Sequence, residues 1–339
     1  MQSYPQGDPG MPDIRERTSR FTSRVALAFF VLMAVSQVAA LIIQLVVLRF
    51  FRPLASTGWF LWTVTIVSLY CIAAPCAYLI LRDVPATVPE RRRMSVKTTV
   101  IFLFMAFTLL MGGALIGQGV NTVIGFFFGK QDSQITEAMA NSTLWLSCLY
   151  SLLIAPLLEE FFFRKLLIDR LGFLGDWSAM LLSGVAFGLF HGNLEQFFYA
   201  ALLGMLLALV YLKTGNVLYT VLIHSVVNFF GGILPTIIDH YLPLDLAGAE
   251  TNEQLIALIR SQPLSAAAHL LAAYLPYIFA FVGLVFFCLY FRRMTTGFRP
   301  SPLPRGGRAA PIVGNVGSIL YLVVCIGSMI LTIVSNALT

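Results

Sequence analysis

Residues 144–164 read LWLSCLYSLLIAPLLEEFFFR and carry two adjacent glutamates, Glu159 and Glu160, inside a run of apolar side chains. Such a run is long enough to cross a lipid bilayer as a helix, which needs about 20 residues. An acidic side chain at that depth costs about 2.5–3.5 kcal/mol on insertion scales, and it is rare outside functional sites. The two carboxylates therefore indicate a polar site inside a membrane.

The rest of the chain is similarly apolar, since 58% of its 339 residues are hydrophobic and 11% are charged. The third of its hydrophobic runs is overlong and rich in glycine, which allows it to tilt, kink or end early. The runs together predict an all-α, polytopic transmembrane helix bundle of about eight or nine spans, embedded in a lipid bilayer. They are residues 25–48, 59–81, 99–128, 143–163, 177–193, 195–212, 216–235, 267–291 and 312–336.

Lysine and arginine are distributed unequally between the two ends of these runs. If the N-terminus lies in the cytoplasm, 18 of the 22 basic residues fall on the inner side. This bias follows the positive-inside rule, and it predicts a multi-pass protein of the cell (cytoplasmic) membrane with a cytoplasmic N-terminus. Because topology accounts for the net charge of +6, we exclude nucleic acid as a partner. The four basic residues on the outer side are Arg49, Arg52, Lys130 and Arg260.

Polar content divides the chain into four segments. Residues 1–24 are rich in proline, glycine, serine and arginine, and we expect a disordered cytoplasmic tail. Residues 25–142 hold three transmembrane helices with few polar side chains. Residues 143–235 hold four helices and every polar residue discussed below, so they form the predicted catalytic core. Residues 236–339 hold an outer loop, with a short helix expected at 252–260, and two C-terminal transmembrane helices.

The first polar motif comprises Glu159, Glu160 and Arg164. Adjacent helix positions point about 100° apart, so the two glutamates face different surroundings. Arg164 follows Glu160 by four residues, a spacing that favours an ion pair and gives Glu160 a structural role. Glu159 has Phe163 at the same spacing, and a carboxylate beside an apolar group suits a general base near neutral pH. We therefore predict that Glu159 is the catalytic base.

The second motif places Phe187 one helical turn before His191, so that the aromatic ring can pack against the imidazole. A hairpin that turns within residues 172–176 would leave Glu159 and His191 about 3 Å apart in height, at 1.5 Å per residue. To keep His191 level with His224 as well, the chain must reverse direction inside the membrane at residues 192–196. Irregular backbone at that depth requires protein or water beside it.

The third motif is His224 followed four residues later by Asn228, on one face of a helix. One interpretation is that the two side chains donate hydrogen bonds to an oxyanion during acyl transfer. The other is an interhelical polar clamp, worth about 0.6 kcal/mol per bond. The spacing alone leaves both interpretations open.

The three motifs in this order resemble those of the CPBP family (CAAX protease and bacteriocin-processing, or Abi) of intramembrane endopeptidases. The resemblance covers roughly residues 143–235 and implies a helical membrane bundle with a cavity that opens toward the cytoplasm. The family's EExxxR, FxxxH and HxxxN/D patterns correspond to Glu159-Glu160 with Arg164, Phe187 with His191, and His224 with Asn228.

The resemblance also implies roles for individual side chains. Glu159 with His191 would activate water, and His224 with Asn228 would hold the oxyanion. The family has also been described as metalloproteases, with the same glutamate and histidines as candidate ligands. A catalytic zinc needs three protein ligands and a water, for which Glu159, His191 and His224 just suffice. The sequence leaves both options open, and we favour water activation without a metal.

The predicted function is that of a membrane-embedded endopeptidase. Its substrates would be peptides or membrane proteins: membrane-associated chains, prenylated CAAX-type chains or leader peptides. One alternative is a catalytically inactive binding or immunity protein of the same fold. Another is a proton-coupled carrier, against which the lack of an internal repeat argues. The sequence does not indicate an oligomeric state.

Overall fold

The computed structural model describes residues 14–129, 142–244, 251–304 and 308–338. This part of the chain is helical and contains no strand, as the all-α prediction requires. Eight of its helices are long and apolar enough to cross a membrane. In chain order the helices are α1 (Ile14–Phe50), α2 (Arg52–Ala55), α3 (Phe60–Leu81), α4 (Val96–Phe128), α5 (Leu144–Leu174), α6 (Asp176–Phe190), α7 (Leu194–Thr214), α8 (Val217–Tyr241), α9 (Asn252–Ser261), α10 (Pro263–Thr295), α11 (Ala309–Val313) and α12 (Val316–Leu338).

The fifth predicted span, residues 177–193, corresponds to the short helix α6. Its 15 residues extend about 22 Å, less than the roughly 30 Å of a bilayer's hydrocarbon core. Gly192 then adopts a left-handed φ of 65°, and the Asn193 side chain accepts a hydrogen bond from the Gln196 backbone N–H at 2.8 Å to start α7. The chain therefore reverses within the bundle, at the place that the heights of His191 and His224 predicted.

The bundle has two ends that differ in charge. At one end α1, α4, α6, α8 and α12 begin while α3, α5, α7 and α10 finish, and we call it the basic end. Its loops contact one another: Arg24 lies 3.5 Å from Asp83, and the Arg92 N–H donates to the Thr214 carbonyl at 2.8 Å. At the opposite end, the far end, α1, α4, α8 and α12 finish and α3, α5 and α10 begin. The predicted excess of lysine and arginine therefore lies at a single end of the molecule.

The predicted disorder of residues 1–24 is wrong for residues 14–24, which form the first turns of α1. Glu16 and Arg20 make an i,i+4 ion pair at 2.5 Å, which supports the exposed face of this extension. On its other face the buried Thr22 hydroxyl donates to the Pro311 carbonyl at 2.8 Å. A contact with the other end of the sequence orders these turns, so composition alone could not reveal it. Residues 1–13 lie outside the described residues.

The glycine-rich helix α4 runs without interruption for 33 residues, so it neither ends early nor needs its glycines for a break. Two of these glycines instead let α7 approach closely. A Cβ on Gly113 would lie 2.4 Å from the Tyr199 Cα, and one on Gly117 would lie 2.9 Å from the Glu195 carbonyl oxygen. Gly112, by contrast, has nothing within 4 Å of its Cβ position. The close contact between α4 and α7 therefore depends on particular glycines.

The adjacent pair Gly112 and Gly113 provides a test with an internal control. Gly113→Ala should lower the Tm of the purified protein, because the new methyl group would collide with backbone atoms of α7. Gly112→Ala should leave Tm unchanged or raise it slightly, since alanine is the better helix former by up to about 1 kcal/mol. Thermal unfolding in detergent, followed by tryptophan fluorescence, measures both. Equal effects of the two substitutions would contradict the described packing of α4 on α7.

Candidate active site

A buried ion pair joins three helices at the centre of the bundle. Arg164 on α5 donates from Nε to Glu160 Oε2 at 2.8 Å and from Nη2 to Oε1 at 3.2 Å. Its third nitrogen, Nη1, donates to the Ser183 hydroxyl on α6 at 2.7 Å. Both side chains of the pair are 0% exposed. The ion pair predicted from the i,i+4 spacing is therefore present, and it is fully removed from solvent.

Aromatic rings and an irregular helical turn complete the surroundings of this pair. The guanidinium carbon of Arg164 lies 5.0 Å above the centre of the Phe187 ring, a cation–π geometry. Phe163 is fully buried and meets the Phe187 ring edge-on at 5.1 Å. Residues Phe161–Leu166, directly after the two glutamates, form a π-helical turn. Such turns often mark functional sites, because they shift the side chains that follow onto another face.

His224 on α8 lies between the two glutamates. Its Nδ1 is 3.0 Å from Glu160 Oε1, within hydrogen-bond distance. Since Glu160 is paired with Arg164 and can only accept, the imidazole donates from Nδ1. The other ring nitrogen, Nε2, lies 3.8 Å from Glu159 Oε2. That separation is too long for a direct hydrogen bond, but both atoms can bind one shared water molecule.

Glu159 differs from Glu160 in its contacts and in its exposure. Its side chain is 12% exposed, whereas that of Glu160 is 0% exposed, and it lines the central cavity. The structural role predicted for Glu160 agrees with this geometry, and the role of Glu159 as the catalytic base stays a prediction. Phe163, which was expected to lie beside Glu159, packs instead into the aromatic cluster with Phe187 and Phe190.

His191 occupies the end of α6, next to the chain reversal, and also lines the cavity. Its Nδ1 lies 2.8 Å from the Phe187 carbonyl oxygen, which can only accept a hydrogen bond. Nδ1 therefore carries the proton, and Nε2 is left as an acceptor in the neutral ring. The Phe187 ring packs edge-on against His191 at 4.9 Å and against His224 at 5.7 Å. One aromatic side chain thus orients both histidines.

Asn228 lies one turn after His224 on α8 and lines the same cavity. One N–H of its amide donates to the Ser151 carbonyl on α5 at 2.9 Å. The neighbouring Ser225 hydroxyl donates to the Leu152 carbonyl at 2.8 Å, so it points away from the histidine. These bonds form the interhelical clamp that was one of the two interpretations. The second N–H of the Asn228 amide leaves the oxyanion interpretation open.

The cavity that these side chains line has a volume of about 820 Å³. Its walls are not confined to the predicted core, because α1, α3, α4 and α10 contribute residues to them as well. The polar side chains of the walls, apart from the motif residues, are Ser36, Gln37, Gln44, Thr65, Ser68, Tyr150, Ser151, Glu195, Gln196, Tyr199 and Tyr277.

The cavity runs from Glu159 toward the far end, not toward the basic end. On α5 its lining residues are Tyr150, Ser151, Ala155 and Glu159, all of which precede the buried ion pair. With the N-terminus in the cytoplasm, the far end is the outer side. The predicted cytoplasmic N-terminus and the predicted cytoplasmic opening are therefore incompatible, because α5 presents Glu159 on the far-end side of its own ion pair. Both stay predictions.

The rings of the two histidines among the three candidate metal ligands are oriented as in metal sites, but the three side chains are not grouped around a common point. His191 and His224 both present Nε2 while Nδ1 is held by an oxygen, as is usual for histidines that bind metals. Among the described residues, however, no group of three or more His, Cys, Asp or Glu side chains is arranged to hold a metal ion. As described, the three side chains therefore do not fit a bound metal ion.

Sequence reasoning missed Ser183 and Tyr150. The Ser183 hydroxyl on α6 accepts a hydrogen bond from Arg164 and donates one to the Phe163 carbonyl at 2.8 Å. It therefore joins α6 to α5 beside the ion pair. Tyr150 lines the cavity and stacks on Trp62 of α3 with ring centres 4.3 Å apart. A lone serine or tyrosine in an apolar run carries no spacing signal, because its partner lies on another helix.

Comparisons with known proteins give one relative and one family match. The chain is 28% identical over 176 residues to the "Putative membrane peptidase YdiL" of Bacillus subtilis (strain 168), a match that covers 50% of this chain and 69% of that protein. No solved structure matches the chain. The described helices and these comparisons show a multi-pass membrane protein, whose residues 141–230 match the family of Rce1-like, type II CAAX prenyl endopeptidases.

Proposed function

We propose that this protein is an intramembrane endopeptidase that hydrolyses peptide bonds with water activated by Glu159. The observation that carries the proposal is the contrast between the two glutamates. Glu160 is saturated by Arg164 and His224, whereas Glu159 lines the cavity with His224 Nε2 at 3.8 Å. A carboxylate without a cation of its own, beside a space for substrate, is suited to accept a proton from water.

The proposed reaction begins with a water molecule held by Glu159 and by His191 Nε2. Glu159 takes one proton while the water oxygen bonds to the carbonyl carbon of the substrate, and the carbonyl oxygen becomes an oxyanion. The free N–H of Asn228 can donate to that oxygen, as can His224 Nε2 when the ring is protonated. The C–N bond then breaks, and the leaving amine takes the proton from Glu159. A carboxylic acid and an amine are released, and the acid then gives its remaining proton to the amine or to water.

In this scheme Glu160 and Arg164 are positioning residues. Glu160 fixes the rotation of the His224 ring through Nδ1, so that Nε2 points at Glu159. Arg164 in turn holds Glu160 through two of its nitrogens. The intact set of groups around a cavity favours turnover over an inactive binding or immunity protein. The proposed substrates are membrane-associated chains, prenylated CAAX-type chains or leader peptides.

The first test compares Glu159→Gln with Glu253→Gln, a change of the same chemistry on the exposed helix α9. Loss of the base should lower the cleavage rate about 10²-fold or more, while Tm stays close to that of the parent. The substrate is found as the membrane protein that accumulates uncleaved in cells expressing Glu159→Gln but not in cells expressing the parent chain. Retention of most of the turnover by Glu159→Gln would refute the assignment of the base.

The second test addresses the buried ion pair. Glu160→Gln or Arg164→Ala should destabilise the fold by about 3–5 kcal/mol, because each leaves a buried charge without its partner. The matched control is the exposed i,i+4 pair Glu16–Arg20, for which Glu16→Gln should cost less than about 1 kcal/mol. Chemical denaturation in detergent gives both values. A Glu160→Gln variant as stable as the parent would contradict the structural role.

A third test concerns metal. We expect cleavage to persist after treatment with a chelator, and we expect elemental analysis of the purified active protein to find less than one equivalent of zinc. Both measurements use the same preparation. The blank is detergent buffer without protein, treated with the same chelator. Loss of cleavage on chelation, with recovery on addition of zinc, would replace water activation by Glu159 alone with a metal-dependent mechanism at the same residues.

A further inference from the structure

The residues that line the cavity lie on the far-end side of the buried ion pair. On α8 the lining begins at His224 and continues through Asn228 to Pro235, toward the far end. On α3 it begins as far out as Leu61, one residue after the start of the helix. On α1 it spans residues 33–44 and so lies in the half of the helix nearer Phe50. In the described part of the chain, α1 and α3 contribute only their far-end halves, and α8 contributes nothing before His224, its eighth residue from the basic end.

The other direction is closed by packed side chains. Between the ion pair and the basic end, Ile168, Leu174 and Leu207 are each 0% exposed. Tyr211 is buried as well, and its hydroxyl donates to Asp169 at 2.7 Å. Packed interiors of this kind contain few voids larger than a water molecule. Neither a substrate nor bulk water has a route to Glu159 from the basic end through these residues.

Charge indicates which side of the membrane each end faces. Of the 20 lysines and arginines in the described residues, three (Arg49, Arg52 and Arg260) lie toward the far end and 16 lie toward the basic end, with Arg164 in the buried pair between them. Such a bias places the basic end in the cytoplasm. The far end, where the cavity leads, then faces the outside of the cell. Opening direction and charge come from different residues, so the two observations are independent.

We infer that the substrate reaches Glu159 from the outer face of the membrane, and that it is an exported or membrane-anchored polypeptide whose cleaved bond enters from outside to near the middle of the bilayer. This inference rests on the proposed endopeptidase function and narrows its substrates. A prenylated C-terminus made and held on the cytoplasmic face does not meet this requirement, whereas a leader or anchor segment already inserted in the membrane does.

The depth of the site adds a requirement on the conformation of the substrate. Glu159 lies 15 residues after Leu144, which is about 22 Å along α5 from the far end. An extended chain covers about 3.3 Å per residue, so about seven residues must enter in extended form. Their backbone N–H and C=O groups need partners inside the membrane. The amide and hydroxyl side chains of Gln37, Gln44, Gln196 and Ser151 on the cavity wall can supply them.

Cysteine labelling tests the direction of entry without requiring turnover. In a background with the five native cysteines replaced and its Tm shown to match the parent, Ser36→Cys places a thiol in the cavity wall, about 21 Å along α1 from Phe50. The matched control is Val38→Cys, two residues away, which is 57% exposed on the outside of the bundle and does not line the cavity. Thr65→Cys in the wall of α3 is a second probe, should Ser36→Cys fail to fold.

A membrane-impermeant thiol reagent is then added to intact cells and, separately, to inverted vesicles. Val88→Cys near the basic end and Ser261→Cys near the far end establish the orientation. We expect Ser36→Cys to react at least tenfold faster than Val38→Cys in intact cells, and to remain unlabelled in inverted vesicles. Labelling of the wall positions only from the cytoplasmic face, or no faster than Val38→Cys from either face, would overturn the inference.

The labelling result, which reports the direction of substrate entry, can be separated from the effect of Glu159→Gln, which reports catalysis. If wall positions react from outside but Glu159→Gln leaves processing of all membrane proteins unchanged, the endopeptidase function fails while the direction of the cavity stands. If Glu159→Gln blocks a cleavage whose product ends lie on the cytoplasmic face, the enzyme function stands and outer entry is refuted. Mapping the product ends by mass spectrometry distinguishes these results.

Discussion

The ion pair between Glu160 and Arg164 is the interaction on which the rest of the site depends. Two charges removed from water are stable only if each polar atom finds a partner, and here they do. Arg164 uses three nitrogens on Glu160 and Ser183 and rests its planar face on Phe187, while Glu160 also accepts from His224. Because these partners belong to α5, α6 and α8, satisfying one pair of charges fixes the relative positions of three helices.

The same constraint separates the roles of two adjacent glutamates. Glu160 binds the nearby positive charge and one nitrogen of His224. The other nitrogen of His224 then lies 3.8 Å from Glu159. Phe187 then limits the remaining freedom, since its ring contacts both histidines and its carbonyl sets the tautomer of His191. An apolar residue and a structural ion pair thus orient the polar groups that face the cavity.

The parts of this arrangement that sequence could predict are those encoded within one helix. Spacing of four residues predicted the Glu160–Arg164 pair and the contact of Phe187 with His191, and both are present. Interactions between helices left no such signal. Ser183 was missed for this reason, and Gly113 was taken as a possible kink although it marks a close approach of α7. The helical start of α1 depends on Pro311, almost 300 residues away, and was missed on the same grounds.

The predicted cytoplasmic N-terminus and the predicted cytoplasmic opening of the cavity cannot both hold in this structure, and the reason lies in how the chain encodes chemistry and orientation. The motif residues decide which side of the ion pair Glu159 faces, because that follows from the rotation of α5 and the reversal at Gly192. Most basic residues that set the orientation lie outside residues 143–235, on α1, around residues 82–97, and in the last turn of α10 and the segment after it. Resemblance in the motifs therefore transfers a site and its geometry but not the face of the membrane from which the site is entered. Two proteins with the same three motifs can in principle work from opposite faces, and their flanking charges decide between them.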